Sequence, residues 1–231
     1  MPMSVRIGLL LTLIAFCTVH SGARLHAQDT AEADQIAQTA SRAEAAGEYE
    51  LAAGQWETVI NDYPDSPQLG VACYHSGFCH IQLKKYEKAI ERLEQSIRKL
   101  DPNKQVAIAQ AWLFLGFAEM KLGRQLAAED PQASSQLLTT ATQTFLTLLE
   151  KYPDFEDADQ ALFFQGEAFE AINRLDKAAE SYDRMLQLPD PEFKLDGLFA
   201  LAFIRGRQGK YDDASRLYAA FEADGEQHPS Y

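Results

Sequence analysis

The segment Cys73-Tyr74-His75-Ser76-Gly77-Phe78-Cys79-His80 concentrates two thiols and two imidazoles, the ligand types of a tetrahedral zinc site. The stretch lacks proline and reads as helix, and that decides what these residues can do together. At about 100° per residue, Cys73 aligns with His80 and His75 aligns with Cys79, but the two pairs occupy different faces. Four ligands therefore cannot converge from this helix, and no metal site is expected. Cys73 and Cys79 are separated by about 240° of rotation, which rules out an intrahelical disulfide and leaves them as small buried hydrophobes. The chain has no Gly-rich phosphate loop, Cys-x-x-Cys-His haem motif or His-Glu-x-x-His motif. Its carboxylate pairs Glu156-Asp157 and Asp212-Asp213 fall at helix starts, where the helix dipole favours negative charge, so capping explains them better than acid–base chemistry. No catalytic residue, cofactor or metal ligand is expected, and the chain is read as a non-enzyme.

Composition narrows the class further. The 231 residues are 46% hydrophobic, enough for a sizeable core, and carry a formal net charge of -13. An acidic surface without a basic stripe repels phosphate, so nucleic acid is not an expected partner. Ala, Leu, Glu, Gln and Lys dominate, which favours helix over strand.

The N-terminal stretch is read as a targeting segment. Arg6 supplies a positive region, Ile7 to Val19 is a nearly continuous apolar run, and small residues follow. That run is short of the roughly 20 residues of a membrane span. Residues 1–27 are expected to be a cleaved signal peptide, with a cut after Ala27 or alternatively Ala23, and no stable membrane span afterwards. Cleavage would leave 19 basic against 34 acidic residues, a net charge of -15.

The elements that position everything downstream are legible in a repeat. Ala52 and Trp56, Ala89 and Leu93, Ala141 and Phe145, Ala178 and Tyr182, and Ala214 and Tyr218 are five small-then-large pairs, each on one helix face. Successive alanines lie 37, 52, 37 and 36 residues apart. Turn signals precede each pair at Gly47, Lys84-Lys85, Gly123, Asn173 and Gly209, suited to a left-handed helix stop. Helix entrances follow Tyr63-Pro64-Asp65, Asp101-Pro102, Tyr152-Pro153-Asp154 and Asp190-Pro191. The pattern predicts helices over 31–46, 50–62, 67–83, 86–100, 103–122, 134–151, 156–172, 176–187, 191–208 and 211–222. The long spacing assigns an insertion to 124–136, expected as a protruding polar loop with one extra helical turn.

Trp112-x2-Leu115-Gly116, then Ala141-x3-Phe145 and Pro153, resembles the tetratricopeptide repeat signature. The resemblance implies an all-α, right-handed superhelical solenoid of about five helix-turn-helix repeats. The array would fill residues 28–231, with repeats near 33–66, 70–102, 109–154, 159–191 and 195–222. The Tyr-Pro-Asp boundaries, followed by Ala161-Leu162-Phe163-Phe164-Gln165-Gly166, look like the exported bacterial members of the cell envelope. These include the TolA-binding Tol-Pal periplasmic protein and the outer-membrane assembly lipoprotein. The chain departs from both, having neither an acceptable lipobox nor a coiled-coil segment before the repeats.

In such repeats, positions of each first helix that include 5 and 9 of the unit line a concave groove. Here the resemblance places Tyr74, Phe78, Leu113, Phe117, Phe163, Phe199 and Phe203 at those positions, with Glu167 as the polar exception. Two readings stay open for Tyr74, Leu113 and Phe163, which could line the groove or fill the core between repeats. The groove itself could be free or filled by Gln28–Ala33 or the acidic tail. The expected function is a non-enzymatic scaffold or adaptor, exported to the periplasm or envelope. It would grip another protein or peptide, such as an apolar helix, through the aromatic groove. The alternative is a glycan-binding module, using Phe163, Glu167 and Glu170, or an accessory subunit of an enzyme complex. Oligomeric state is left open.

Overall fold

The computed structural model describes residues 28–225, and the segment read as a signal peptide lies outside them. Among the described residues there are ten helices and no strand, arranged as five antiparallel hairpins. The first hairpin pairs α1 (residues 28–45) with α2 (Tyr49–Asp62), and the second pairs α3 (Leu69–Gln82) with α4 (Tyr86–Lys99). The third joins α5 (Gln105–Leu126) to α6 (Pro131–Lys151). The fourth and fifth are α7 (Ala158–Ala171) with α8 (Leu175–Leu186), and α9 (Lys194–Arg207) with α10 (Tyr211–Gly225). Each hairpin packs on the next, giving an all-α helix-turn-helix solenoid. Residues 28–33 continue α1 and do not form a separate arm across the groove.

The small-then-large pairs form the hairpin core. Trp56, Leu93, Phe145 and Tyr182 are buried, as is the alanine four residues before each. Leu93, Phe145 and Tyr182 each fill the gap left by a glycine on the facing first helix. At Gly116 an added Cβ would lie 2.7 Å from the Phe145 ring, and at Gly166 it would lie 2.5 Å from the Tyr182 ring. The missing side chains therefore let the two helices approach. Tyr218, in the last described hairpin, is only partly buried because no further hairpin covers it among the described residues.

Four of the five expected turn stops adopt the left-handed conformation: Gly47, Lys84, Asn173 and Gly209 have φ of 76°, 56°, 57° and 75°. At each, the next residue's N–H donates back to the carbonyl five residues earlier, as Lys85 does to His80 and Arg174 to Phe169. Gly123 is the exception and corrects the sequence reading. It lies inside α5, where a Cβ would meet Leu138 at 2.8 Å, so it permits close packing and does not stop the helix.

The expected loop at 124–136 is also corrected. Arg124 to Leu126 extend α5 to 22 residues, and Pro131 opens the 21-residue α6, leaving only a short turn between them. Asp130 accepts the Ala133 N–H at 2.9 Å, and Pro131 supplies a first-turn residue with no amide to satisfy. Leu122 and Leu138 are buried in the lengthened hairpin, so the extra residues find packing as helix. The long α5 meets a length and apolarity test for a membrane span, yet 61% of its most apolar stretch is buried.

Candidate concave-face binding site

The first helices α3, α5 and α7 touch in succession, whereas no contact of similar extent joins α4 to α6 or α6 to α8. The more crowded row is the inner side of a curved stack, so the first helices line the concave face. The Cys and His cluster on α3 divides as its helical angles require. His75 Nδ1 meets Glu44 Oε1 of α1 at 3.0 Å, and its ring stacks 4.9 Å from Trp56. Cys79 Sγ donates to the same carboxylate at 3.6 Å. His80 instead faces Glu57 of α2 at 3.6 Å, on the other side of α3. Burial pushes the Cys73 and Cys79 thiols up to about 11 and about 12, the latter helped by Glu44, so both are protonated and poorly nucleophilic at neutral pH.

Glu57 is the centre of a second polar cluster. Arg92 donates to both of its oxygens at 2.7 Å, and Ser76 Oγ donates to Oε1 at 2.7 Å. Burial opposes ionisation, but bonds from His80, Arg92 and Ser76 outweigh it and hold the carboxyl well below the usual carboxylate range. With α2, α3 and α4 all contributing, this cluster ties the first two hairpins together.

Aromatic rings on the concave row stack from one first helix to the next. Phe78 and Tyr74 of α3 lie 5.4 and 5.9 Å from Phe114 of α5. Phe117 of α5 lies 4.9 Å from Phe164 of α7, and Phe163 stacks 5.1 Å from Phe193 before α9. Each ring therefore covers part of its neighbour, and Tyr74, Phe78, Phe117 and Phe163 are half-buried. Leu113 is only 2% exposed and belongs to the α5–α6–α7 core, so it is not a groove surface. Phe199 and Phe203 of α9 have no later first helix to stack on among the described residues. Phe199 is 51% exposed and Phe203 is 46% exposed, with Arg207 5.9 Å above the Phe203 ring.

Charged side chains lace the same face. Arg124 of α5 pairs with Glu167 of α7 at 3.0 Å, and Arg207 of α9 reaches Glu170 of α7 at 3.6 Å. Glu167 and Glu170 are thus engaged by arginines, and Phe163 is flanked by Phe164, Phe193 and Tyr182. The three residues offered for glycan contact are spent on neighbouring helices.

Three contributors escaped the sequence reading. Phe114 and Phe164 sit one position past the assigned groove positions, and Phe193 precedes its helix. The i, i+3 spacing of Phe114 and Phe117 was the available signal for the first. Glu119 is the other omission: it is 4% exposed within the α5–α6 hairpin and accepts Thr144 Oγ1 at 2.7 Å.

Comparison with known proteins agrees with this architecture. Two family models, each described as tetratricopeptide repeat, match residues 71–103 and 126–192. These two stretches are tetratricopeptide repeats by that match. Among solved structures, MamA residues 41 to the end from Desulfovibrio magneticus RS-1 superposes with a TM-score of 0.67 at 17% identity. It covers 85% of this chain and 97% of that one. TTC0263, a thermophilic tetratricopeptide protein of Thermus thermophilus, gives a TM-score of 0.56 at 21% identity over 82% of this chain and 89% of its own. YrrB, described as having an unusual peptide-binding site, gives 0.60 at 14% identity, covering 80% and 82%. These likenesses establish a shared fold. No curated protein matches the chain in sequence.

Proposed function

We propose that the chain is a non-enzymatic adaptor of the bacterial cell envelope that holds an apolar segment of another protein on its concave face. The single observation that carries this reading is the end of the aromatic row. Phe78, Phe117 and Phe163 are half-buried against rings of the next first helix or its approach, whereas Phe203, with Arg207 over its ring, is 46% exposed and Phe199, packed only against Tyr218 and Phe221 of its own hairpin, is 51% exposed. A row of stacked rings ending in two exposed ones offers an incoming aromatic or aliphatic side chain a ready-made continuation. The tetratricopeptide repeats support the same reading, and so does the peptide-binding site attributed to the similarly folded YrrB. The envelope assignment rests on the signal-like N-terminal segment and on the Tyr-Pro-Asp boundaries. An apolar helix suits the face, because residues at i, i+4 and i+7 would reach successive first helices.

Phe203→Glu tests the proposal better than a change at Phe117, whose ring packs against Phe164 and beneath Lys121. The expected outcome is loss of a co-purifying partner with the circular dichroism spectrum unchanged. Leu51→Glu, at a 50% exposed residue on α2, serves as the control and should keep the partner. Equal capture by both variants would reject the concave-face reading.

A further inference from the structure

A recess of about 380 Å³ lies between the start of α5 and the Tyr152–Asp157 connection into α7. That volume is at the lower end of the roughly 300–1,000 Å³ typical of ligand sites. Its position ties it to the concave face. Gln110 lines it, and Gln110 Oε1 also accepts the Tyr74 hydroxyl at 3.5 Å. Tyr74 is one of the half-buried rings of the concave row, so this bond joins the recess to that row. The rest of the wall sets the apolar Val106, Ala109, Pro153 and Phe155 beside Gln105, Lys151, Tyr152, Asp154, Glu156 and Asp157.

Over an apolar floor that suits an aliphatic stem, the polar groups lean towards acceptors: three carboxylates and two Gln carbonyls, with the Tyr152 ring beside them. Asp157 occupies the N-cap position of α7, yet its side chain makes no capping hydrogen bond. Among the described residues no cation pairs with it. Lys151, the only base on the wall, places its ammonium 5.1 Å over the Trp112 ring and forms no ion pair with these carboxylates. Glu156, Asp159 and Glu192 crowd Asp157 with further negative charge. Burial first, and these neighbours second, raise the Asp157 carboxyl above its ordinary range, the response of an acid that lacks a counter-ion.

We propose that this recess receives an arginine side chain from the protein segment bound on the concave face. The inference rests on the adaptor reading and specifies the partner: an apolar segment that also bears a basic residue. Arginine fits better than lysine. Its planar fork donates to several acceptors at once, here the Asp157 carboxylate and the Gln105 and Gln110 carbonyls, while its flat face can lie on Tyr152. The chain's net charge of -13 assists by drawing a basic segment to the face.

The test uses N-acetyl-arginine methylamide as probe and its citrulline analogue, isosteric but uncharged, as comparison. Both are titrated into the protein while the backbone and side-chain amide NMR signals of Gln105 and Gln110 are followed. The expected result is a saturable shift for arginine and binding at least about tenfold weaker for citrulline, the loss of one partly desolvated charge pair. Asp157→Asn should remove the difference between the two probes. Asn is as good an N-cap as Asp, so α7 still starts correctly. Glu222→Gln, at an exposed site on α10, should leave the arginine shift intact. Equal binding of the two probes, shifts scattered over the acidic surface, or no saturable shift up to the solubility of the probe would each overturn the inference. None of those results touches partner loss in Phe203→Glu, so the failure of this inference and of the adaptor reading are distinguishable.

Discussion

Replacing Glu119 with Gln should stabilise the protein, and by an amount that depends on pH. The Glu119 side chain is enclosed by the third hairpin, with Thr144 Oγ1 at 2.7 Å as its hydrogen-bond donor and no cation beside it. Burial raises its carboxyl from the usual 4.5 to about 7, against the Thr144 bond and with a small push from Glu94. The folded state therefore keeps a proton that the unfolded chain releases near pH 4.5. Stability falls as pH rises between these two values, and the full penalty is present above about pH 7. At 1.36 kcal/mol per pH unit the penalty is on the order of 3 kcal/mol. Gln preserves shape and can still accept from Thr144, so it removes the penalty without opening a cavity. Urea unfolding followed by circular dichroism should show the variant about 2–3 kcal/mol more stable at pH 8.5 and nearly equal to the parent at pH 5. Because repeat arrays can unfold in parts, hydrogen exchange of α5 and α6 should show the same gain locally. An identical effect at both pH values would refute the assignment of a buried, titrating Glu119.

Two further variants probe what holds the array together. Gly116→Ala places a Cβ 2.7 Å from the Phe145 ring, so the α5–α6 hairpin must spread, and calorimetry should show a loss of about 1–3 kcal/mol. Arg92→Leu removes both 2.7 Å bonds to Glu57 and leaves that carboxylate enclosed with weaker partners, a cost of about 1–3 kcal/mol at pH 7. Glu57 is held below the usual carboxylate range, so its pairing stabilises the fold above about pH 4.5 and is lost as pH falls further. The gap between Arg92→Leu and the parent should therefore narrow in acid, as chemical denaturation across pH would show.

What was legible in the sequence followed from local rules. The i, i+4 pairs from Ala52 and Trp56 to Ala214 and Tyr218 mark helix faces whatever the superhelix does, and Gly47, Asn173 and Gly209 mark turns because few residues tolerate positive φ. Lys84 occupies the same conformation without being a residue that favours it, and the repeat register was needed to place it. Gly123 and the 124–136 insertion were misjudged because a glycine and an Asp-Pro pair carry two meanings. Whether Gly123 ends a helix or admits Leu138 depends on the facing helix, and Arg124 to Glu129 are mostly good helix formers awaiting a surface to pack on. The candidate site was legible as a set of positions but not as a surface. Leu113 is core because α6 and α7 close over it, and Phe163 is half-covered because Phe193 lies across its ring. Phe199 and Phe203 occupy equivalent positions and remain exposed only because no further first helix follows them among the described residues. Burial of a repeat position is set by the adjacent repeat, which residue type alone does not encode.

Under the proposed function another protein occupies the concave face at the open end of the aromatic row. A photo-crosslinking amino acid placed at Phe203 in cells, with a matched substitution at Leu51 on α2, measures this directly. A discrete protein adduct is expected from Phe203 and none from Leu51. No adduct from Phe203, or the same adducts from both sites, would contradict that function.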